Sequence, residues 1–151
     1  MRGLIQRVAH ASVEVNDKVV GEIDRGILLL LGIEATDSSE QSRKLINKVL
    51  NYRIFPEGES ADGSSGRMNL SVKDIHGGVL VVSQFTLVAD TQKGLRPGFS
   101  SAAKPEHAEQ VYKEFVELMG NEYQPVDTGI FAADMKVSLC NDGPVTFLLD
   151  V

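Results

Sequence analysis

A chain of 151 residues with a formal net charge of −6 is long enough for one domain with its own core, and its acidic balance excludes a generic nucleic-acid coat protein, which would be basic. Hydrophobic residues make up 42% and charged residues 24%, proportions that fit a soluble globular protein. The longest apolar run, Ile27–Leu31, is too short to span a bilayer. The first ten residues lack the apolar core of a secretory signal. The single cysteine, Cys140, excludes an internal disulfide and a thiolate zinc site. A cytoplasmic protein with one domain over residues 1–151 is expected, with no membrane association.

Short strands are predicted at Leu4–Val8, Ser12–Val15 and Lys18–Ile23, the last after a turn at Asn16-Asp17. Asp24-Arg25-Gly26 turns the chain into Ile27–Gly32, a continuous apolar run suited to a strand buried on both faces. The capping residues of Thr36–Glu40 predict a helix over roughly Ser39–Leu50, with Leu45, Ile46, Val49 and Leu50 inward. Tyr52–Phe55 reads as a short strand. Pro56–Arg67 reads as a polar Gly/Ser loop, the segment expected to be mobile. Gly78–Leu87 is predicted as a long central strand. Val88–Ala103, broken by Gly94, Pro97 and Gly98, is a loop of a length that is usually functional. Pro105 opens a second helix to about Met119, with Val111, Phe115 and Leu118 buried and Gly120 just past its end. Asn141-Asp142-Gly143-Pro144-Val145-Thr146 lies between the apolar runs Met135–Cys140 and Val145–Val151 and reads as a hairpin turn. About nine short strands and two helices define an α+β, mostly β fold: a curved sheet or partly closed barrel with helices packed outside.

The Asn141–Thr146 segment and Ser83-Gln84-Phe85-Thr86-Leu87 together resemble the two signature motifs of the D-aminoacyl-tRNA deacylase family. Arg7-Val8 with Ala11-Ser12-Val13, Lys93-Gly94 with Arg96-Pro97 and Phe99-Ser100, and Phe131–Met135 resemble further family segments, in family order over nearly the whole chain. Gly98 departs from the pattern, since many members carry serine there, so position 98 is given no catalytic weight. The resemblance implies hydrolysis of the ester of D-aminoacyl-tRNA, and of glycyl-tRNA carrying the alanine anticodon, with rejection of L-aminoacyl-tRNA. It also implies a twofold homodimer and a cis Gly143-Pro144 bond whose hairpin tip reaches the partner's site.

The residues themselves offer little acid–base chemistry. There is no G-x-S-x-G elbow, H-E-x-x-H, P-loop or dinucleotide fingerprint. His10, His76 and His107 have no ligand spacing, so no metal site and no organic cofactor is expected. His107 reads as a solvated helix residue and His76 as a turn residue. Thr86 has two readings, a nucleophile, which would need a base, or a β-branched strand residue packing on the sheet. By the resemblance, Gln84, Phe85 and Thr86 form the catalytic segment. Backbone N–H groups there face the developing oxyanion, and the substrate's ribose 2′-hydroxyl helps position water. Ser83, Asn141, Gly143, Pro144, Phe131, Ala133, Met135 and Arg7 are the candidate substrate-binding residues. Carbonyls of Gly143 and Pro144 beside the substrate Cα would exclude one stereoisomer by collision. A basic rim for the tRNA 3′ end falls on Lys93, Arg96 and Lys104, with Arg7 and Arg53 as possible additions. Two readings compete: a non-catalytic RNA-end or small-ligand binding module on the same dimeric scaffold, and a purely structural dimer.

Overall fold

The computed structural model describes residues 1–58 and 66–151. Residues 59–65, most of the loop expected to be mobile, lie outside the described residues. The expected fold class holds: the described residues form eight strands and two α-helices, with the main sheet curved almost into a barrel.

The two strands expected near the N-terminus are one, β1 (Arg2–Val15). It stays continuous because one edge serves two partners in turn. Residues Arg2–Val8 pair with β3 (Gly26–Gly32) and Ala11–Val15 with β2 (Lys18–Ile23). Asn16 and Asp17 both have positive φ, as a tight two-residue hairpin turn requires. β3 then pairs in parallel with β6 (Gly78–Ser83), and β6 with β7 (Val126–Thr128). β7 curls back to β2: Glu22 N–H donates to Asp127 Oδ2 at 2.9 Å. A Cβ on Gly21 would lie 2.4 Å from the Thr128 carbonyl oxygen, so that seam closes only on glycine. β4 (Phe55–Pro56) and β5 (Met68–Leu70) form a separate small ribbon, and the strand expected over Tyr52–Phe55 is reduced to its last residue.

β3 is buried on both faces, as its unbroken apolar sequence requires. Ile27, Leu29 and Leu31 meet the helices, while Leu28 faces the barrel interior with Val8, Val13, Leu80 and Val82. The first helix, α1 (Ser39–Asn51), has the expected cap. Glu40 N–H donates to Ser38 Oγ, and Gln41 Oε1 accepts from Ser38 N–H. The second, α2 (Pro105–Glu122), runs through Gly120 rather than stopping before it. Its end is fixed by Tyr123, whose N–H donates to the Met119 carbonyl and whose hydroxyl donates to those of Val72 and Gly77. Its buried face is Val111, Tyr112, Phe115 and Met119, with Leu118 only half-buried. No helix among the described residues is long and apolar enough to cross a membrane.

Two expectations are corrected. β6 stops at Ser83, and Phe85–Val88 forms a 3₁₀ turn instead of more strand. That turn folds over Gly32, where a Cβ would come within 3.0 Å of Leu87 and Val88 side chains. The Asn141–Thr146 segment is not a hairpin turn. It lies within one long strand, β8 (Lys136–Asp150), antiparallel to β1. Residues 136–141 pair with the second half of β1 and 146–150 with the first. Residues 142–145 bulge out opposite Arg7. The Gly143-Pro144 bond is cis, as is Gln124-Pro125.

Candidate active site

The carboxyl ends of β3 and β6, the 3₁₀ turn after β6, the start of α2 and the 131–137 segment surround a cavity of about 490 Å³. A crevice beyond the carboxyl ends of parallel strands is a recurrent ligand site. Of the predicted residues, Ser83, Gln84, Phe85, Phe131, Ala133 and Met135 line it together. Sequence reasoning missed Leu31, Ile33, Val82, Ala102, Ala103, Pro105, Ala108, Ala132 and Val137. Five lining positions are alanine, which leaves room where larger side chains would fill it. The run Ser101-Ala102-Ala103 was the available signal, since small residues in a Gly/Pro loop suit a cavity wall. Every described lining side chain is non-ionisable at neutral pH.

Phe131 is set by packing. Its ring lies 5.6 Å, centroid to centroid, from that of Tyr112. Tyr112 is buried and donates to the Val81 carbonyl at 3.1 Å. Burial pushes its phenol up to about 12. Ala132 turns the chain with φ 59°, and Ala133 N–H donates to the Ile130 carbonyl.

Thr86 is exposed beside the cavity. Gln84 Nε2 donates to its Oγ1 at 2.6 Å. A neutral amide is no proton acceptor for a nucleophile, so this contact orients the hydroxyl without activating it. The first N–H groups of the 3₁₀ turn, on Phe85 and Thr86, have no acceptor within the turn.

Gly143, Pro144, Asn141 and Arg7 do not line this cavity. Gly143 and Pro144 are exposed on the β8 bulge. Asn141 braces the bulge from within: its Oδ1 accepts from Val145 N–H at 3.0 Å and its Nδ2 donates to Thr146 Oγ1 at 3.0 Å. Arg7 braces it from below. It is 3% exposed and therefore not part of a solvent-facing rim. Its Nε donates to the Asp142 carbonyl at 2.9 Å, its Nη1 donates to the Ile54 carbonyl at 2.7 Å, and it pairs with Asp142 Oδ2 at 3.3 Å. Gly143 has φ +131°, and a Cβ there would meet Val145 Cγ2 at 2.7 Å and Arg7 Nη2 at 3.0 Å.

Lys93, Arg96 and Lys104 are exposed and form no ion pair with any described residue. A bridge between Asp90 and Gly98, with N–H···O distances of 2.8 and 2.9 Å, closes the loop that carries the first two. Arg53 is exposed and donates to the Asn69 carbonyl. His107 is half-buried rather than solvated, with Nε2 3.0 Å from the Asp37 carbonyl oxygen. Among the described residues no group of three His, Cys, Asp or Glu is placed to hold a metal.

A largely apolar cavity whose described lining side chains carry no charge, beside a turn whose first N–H groups have no acceptor among the described residues, suits a site that binds and orients rather than one that relays protons. The whole-chain comparisons agree on its lineage. The family model described as D-Tyr-tRNA(Tyr) deacylase matches residues 4–150. The chain is 58% identical over 151 residues to a D-aminoacyl-tRNA deacylase of Cellvibrio japonicus, covering 100% of this chain and 99% of that protein. It is likewise 58% identical over 149 residues to one of Saccharophagus degradans, covering 99% of each. Among solved structures, the c-Myc DNA unwinding element binding protein superposes with a TM-score of 0.90 at 38% identity, over 100% of this chain and 99% of that one. A probable eukaryotic D-amino acid tRNA deacylase shares the fold, with a TM-score of 0.82 at 17% identity over 99% of this chain and 98% of that one. The chain belongs to the D-Tyr-tRNA(Tyr) deacylase family, and is a hydrolase.

Proposed function

We infer that this enzyme hydrolyses the ester of D-aminoacyl-tRNA, releasing tRNA and the D-amino acid, while sparing L-aminoacyl-tRNA. The observation that carries the reading is a cavity whose described lining side chains are all non-ionisable, next to a turn whose Phe85 and Thr86 N–H groups have no acceptor among the described residues. An aminoacyl ester is already activated. Holding it in line with a water and stabilising the oxyanion on its carbonyl suffices to speed hydrolysis, with no side chain needed as nucleophile. Gln84 fixes the Thr86 hydroxyl, while Phe131, Ala133 and Met135 enclose the substrate.

Selectivity belongs to the exposed Gly143-Pro144 backbone. It lies outside its own chain's cavity, so in this reading it completes the site of a second copy in a homodimer. In a twofold dimer one bulge completes each of two equivalent sites. Backbone carbonyls beside the substrate Cα accept from the α-ammonium of one stereoisomer and collide with the side chain of the other. Such a device works for many side chains at once. Glycine has no side chain to exclude, so glycyl-tRNA carrying the alanine anticodon is hydrolysed too. In this reading the enzyme works in the cytoplasm as a chiral proofreader of translation.

The test is release of amino acid from D-tyrosyl-tRNA and L-tyrosyl-tRNA by the pure protein. Rapid release from the D-ester alone is expected. Equal rates on both, or none on the D-ester, would refute the reading.

A further inference from the structure

The rim of the cavity carries an aromatic surface that extends beyond the pocket, and the proposed chemistry uses only the backbone of Phe85 and nothing of Phe99. The Phe85 and Phe99 rings pack at 5.1 Å between centroids with a 47° tilt. Both stay in solvent, Phe85 at 61% exposed and Phe99 at 39%. Leu95, four residues before Phe99, is fully exposed. Exposed apolar groups clustered beside a site mark an interaction surface. The charge pattern says what kind. Residues 91–104 contain Lys93, Arg96 and Lys104 and no Asp or Glu, in a chain whose net charge is −6. Aromatic faces and cations that pair with no described residue, carried on one segment, suit a single-stranded nucleic acid: the rings stack on bases and the cations track phosphates.

We propose that the Phe85–Phe99 pair is a stacking platform for the nucleotide immediately preceding the aminoacylated one, with Lys93 and Arg96 on the adjoining phosphates. This rests on the ester-hydrolase reading above. If the terminal aminoacyl nucleotide occupies the cavity, the chain must leave by its mouth. Phe85 is both a lining residue of the cavity and a member of the exposed pair, so the platform starts where the cavity ends. The Asp90–Gly98 bridge sets Phe99 directly after the closed loop that presents Lys93, Leu95 and Arg96. Stacking on a π-face is tolerant of base identity, which suits an enzyme that accepts many tRNAs.

The experiment compares kcat/KM for D-tyrosyl esters of adenosine and of the trinucleotide CCA, in the wild type, Phe99→Ala and Phe99→Trp. The wild type should favour the trinucleotide ester. Phe99→Ala should shrink that preference by about 5- to 150-fold, the range of one base–aromatic stack, and Phe99→Trp should keep it. A wild-type preference near one, or a preference unchanged in Phe99→Ala, overturns the platform while leaving the hydrolase intact. Equal loss on both esters in Phe99→Ala makes Phe99 structural and also overturns it. A wild type inert on both esters removes the hydrolase reading itself.

Discussion

Replacing Arg7 by methionine keeps an unbranched stem in a 3%-exposed site and removes every donor. Two backbone carbonyls then lose a charged partner, Asp142 at 2.9 Å and Ile54 at 2.7 Å. Each such bond contributes about 1.5–3 kcal/mol. The Asp142 carboxylate is 45% exposed, so its ion pair adds less than about 1 kcal/mol. The expected destabilisation is about 3–6 kcal/mol, which for a domain of this size lowers Tm by roughly 6–24 °C. The loss should also be local: with Asp142 released, the adjoining Gly143 no longer has a fixed position. The ratio of D-ester to L-ester turnover should therefore fall at temperatures where the variant is still folded by circular dichroism. Arg7→Lys should recover only part of either effect, because one ammonium cannot reproduce the fork that reaches both carbonyls. A Tm within about 2 °C of wild type, together with an unchanged D/L ratio, would refute the assignment of Arg7 as the brace of the bulge.

Three further outcomes follow from the geometry. Thr86→Ala should cost less than about tenfold in single-turnover hydrolysis, a loss of about 1.4 kcal/mol; a loss of several orders of magnitude, with an acyl-enzyme trapped in the wild type, would make Thr86 a nucleophile. Gly98→Ser should fold and act normally with stability unchanged or raised by about 0.4–1 kcal/mol, because a Cβ there meets only Asp90, at 3.7 Å; a lower urea midpoint would contradict this. The Tyr112 phenol, raised to about 12 by burial, stays protonated in the folded state while the unfolded one ionises near 10. Stability present below pH 10 is therefore lost as pH rises toward 12, by up to about 2.7 kcal/mol, and urea titrations at pH 9 and 11 should show Tyr112→Phe losing less than wild type.

The helices were legible because their signals are local: Ser38 and Gln41 cap α1, and Pro105 opens α2. β3 was legible from its unbroken apolar run. The β8 bulge was not. Asn141-Asp142-Gly143-Pro144 has every local mark of a hairpin turn, yet β1 pairs on both sides of it, and a ladder over a hundred residues distant in sequence overrides turn chemistry. The same limit hid the end of β6, which is set by Gly32 beneath Leu87 and Val88. Arg7 read as a rim cation because nothing in its neighbourhood names the Ile54 and Asp142 carbonyls that bury it. The cavity was half legible. Its motif residues were visible, but its alanine walls are ordinary residues whose meaning lies in what they fail to fill.

β1 pairs Arg2 with Asp150 in register, so β1 waits for β8, which is made long after it. At ribosomal rates of about 5–20 residues per second, β1 stands with one edge bare for roughly 7–30 s before β8 emerges. Ladders between distant segments also form slowly. The Arg7–Asp142 brace is thus among the last contacts a nascent chain can make. Truncated products, or chains stalled before residue 142, hold the residues of β3, β6 and both helices yet lack the Gly143-Pro144 bulge. In such chains the element proposed to spare L-aminoacyl esters would be missing while the cavity residues are already present, so quality control of incomplete chains would itself protect fidelity.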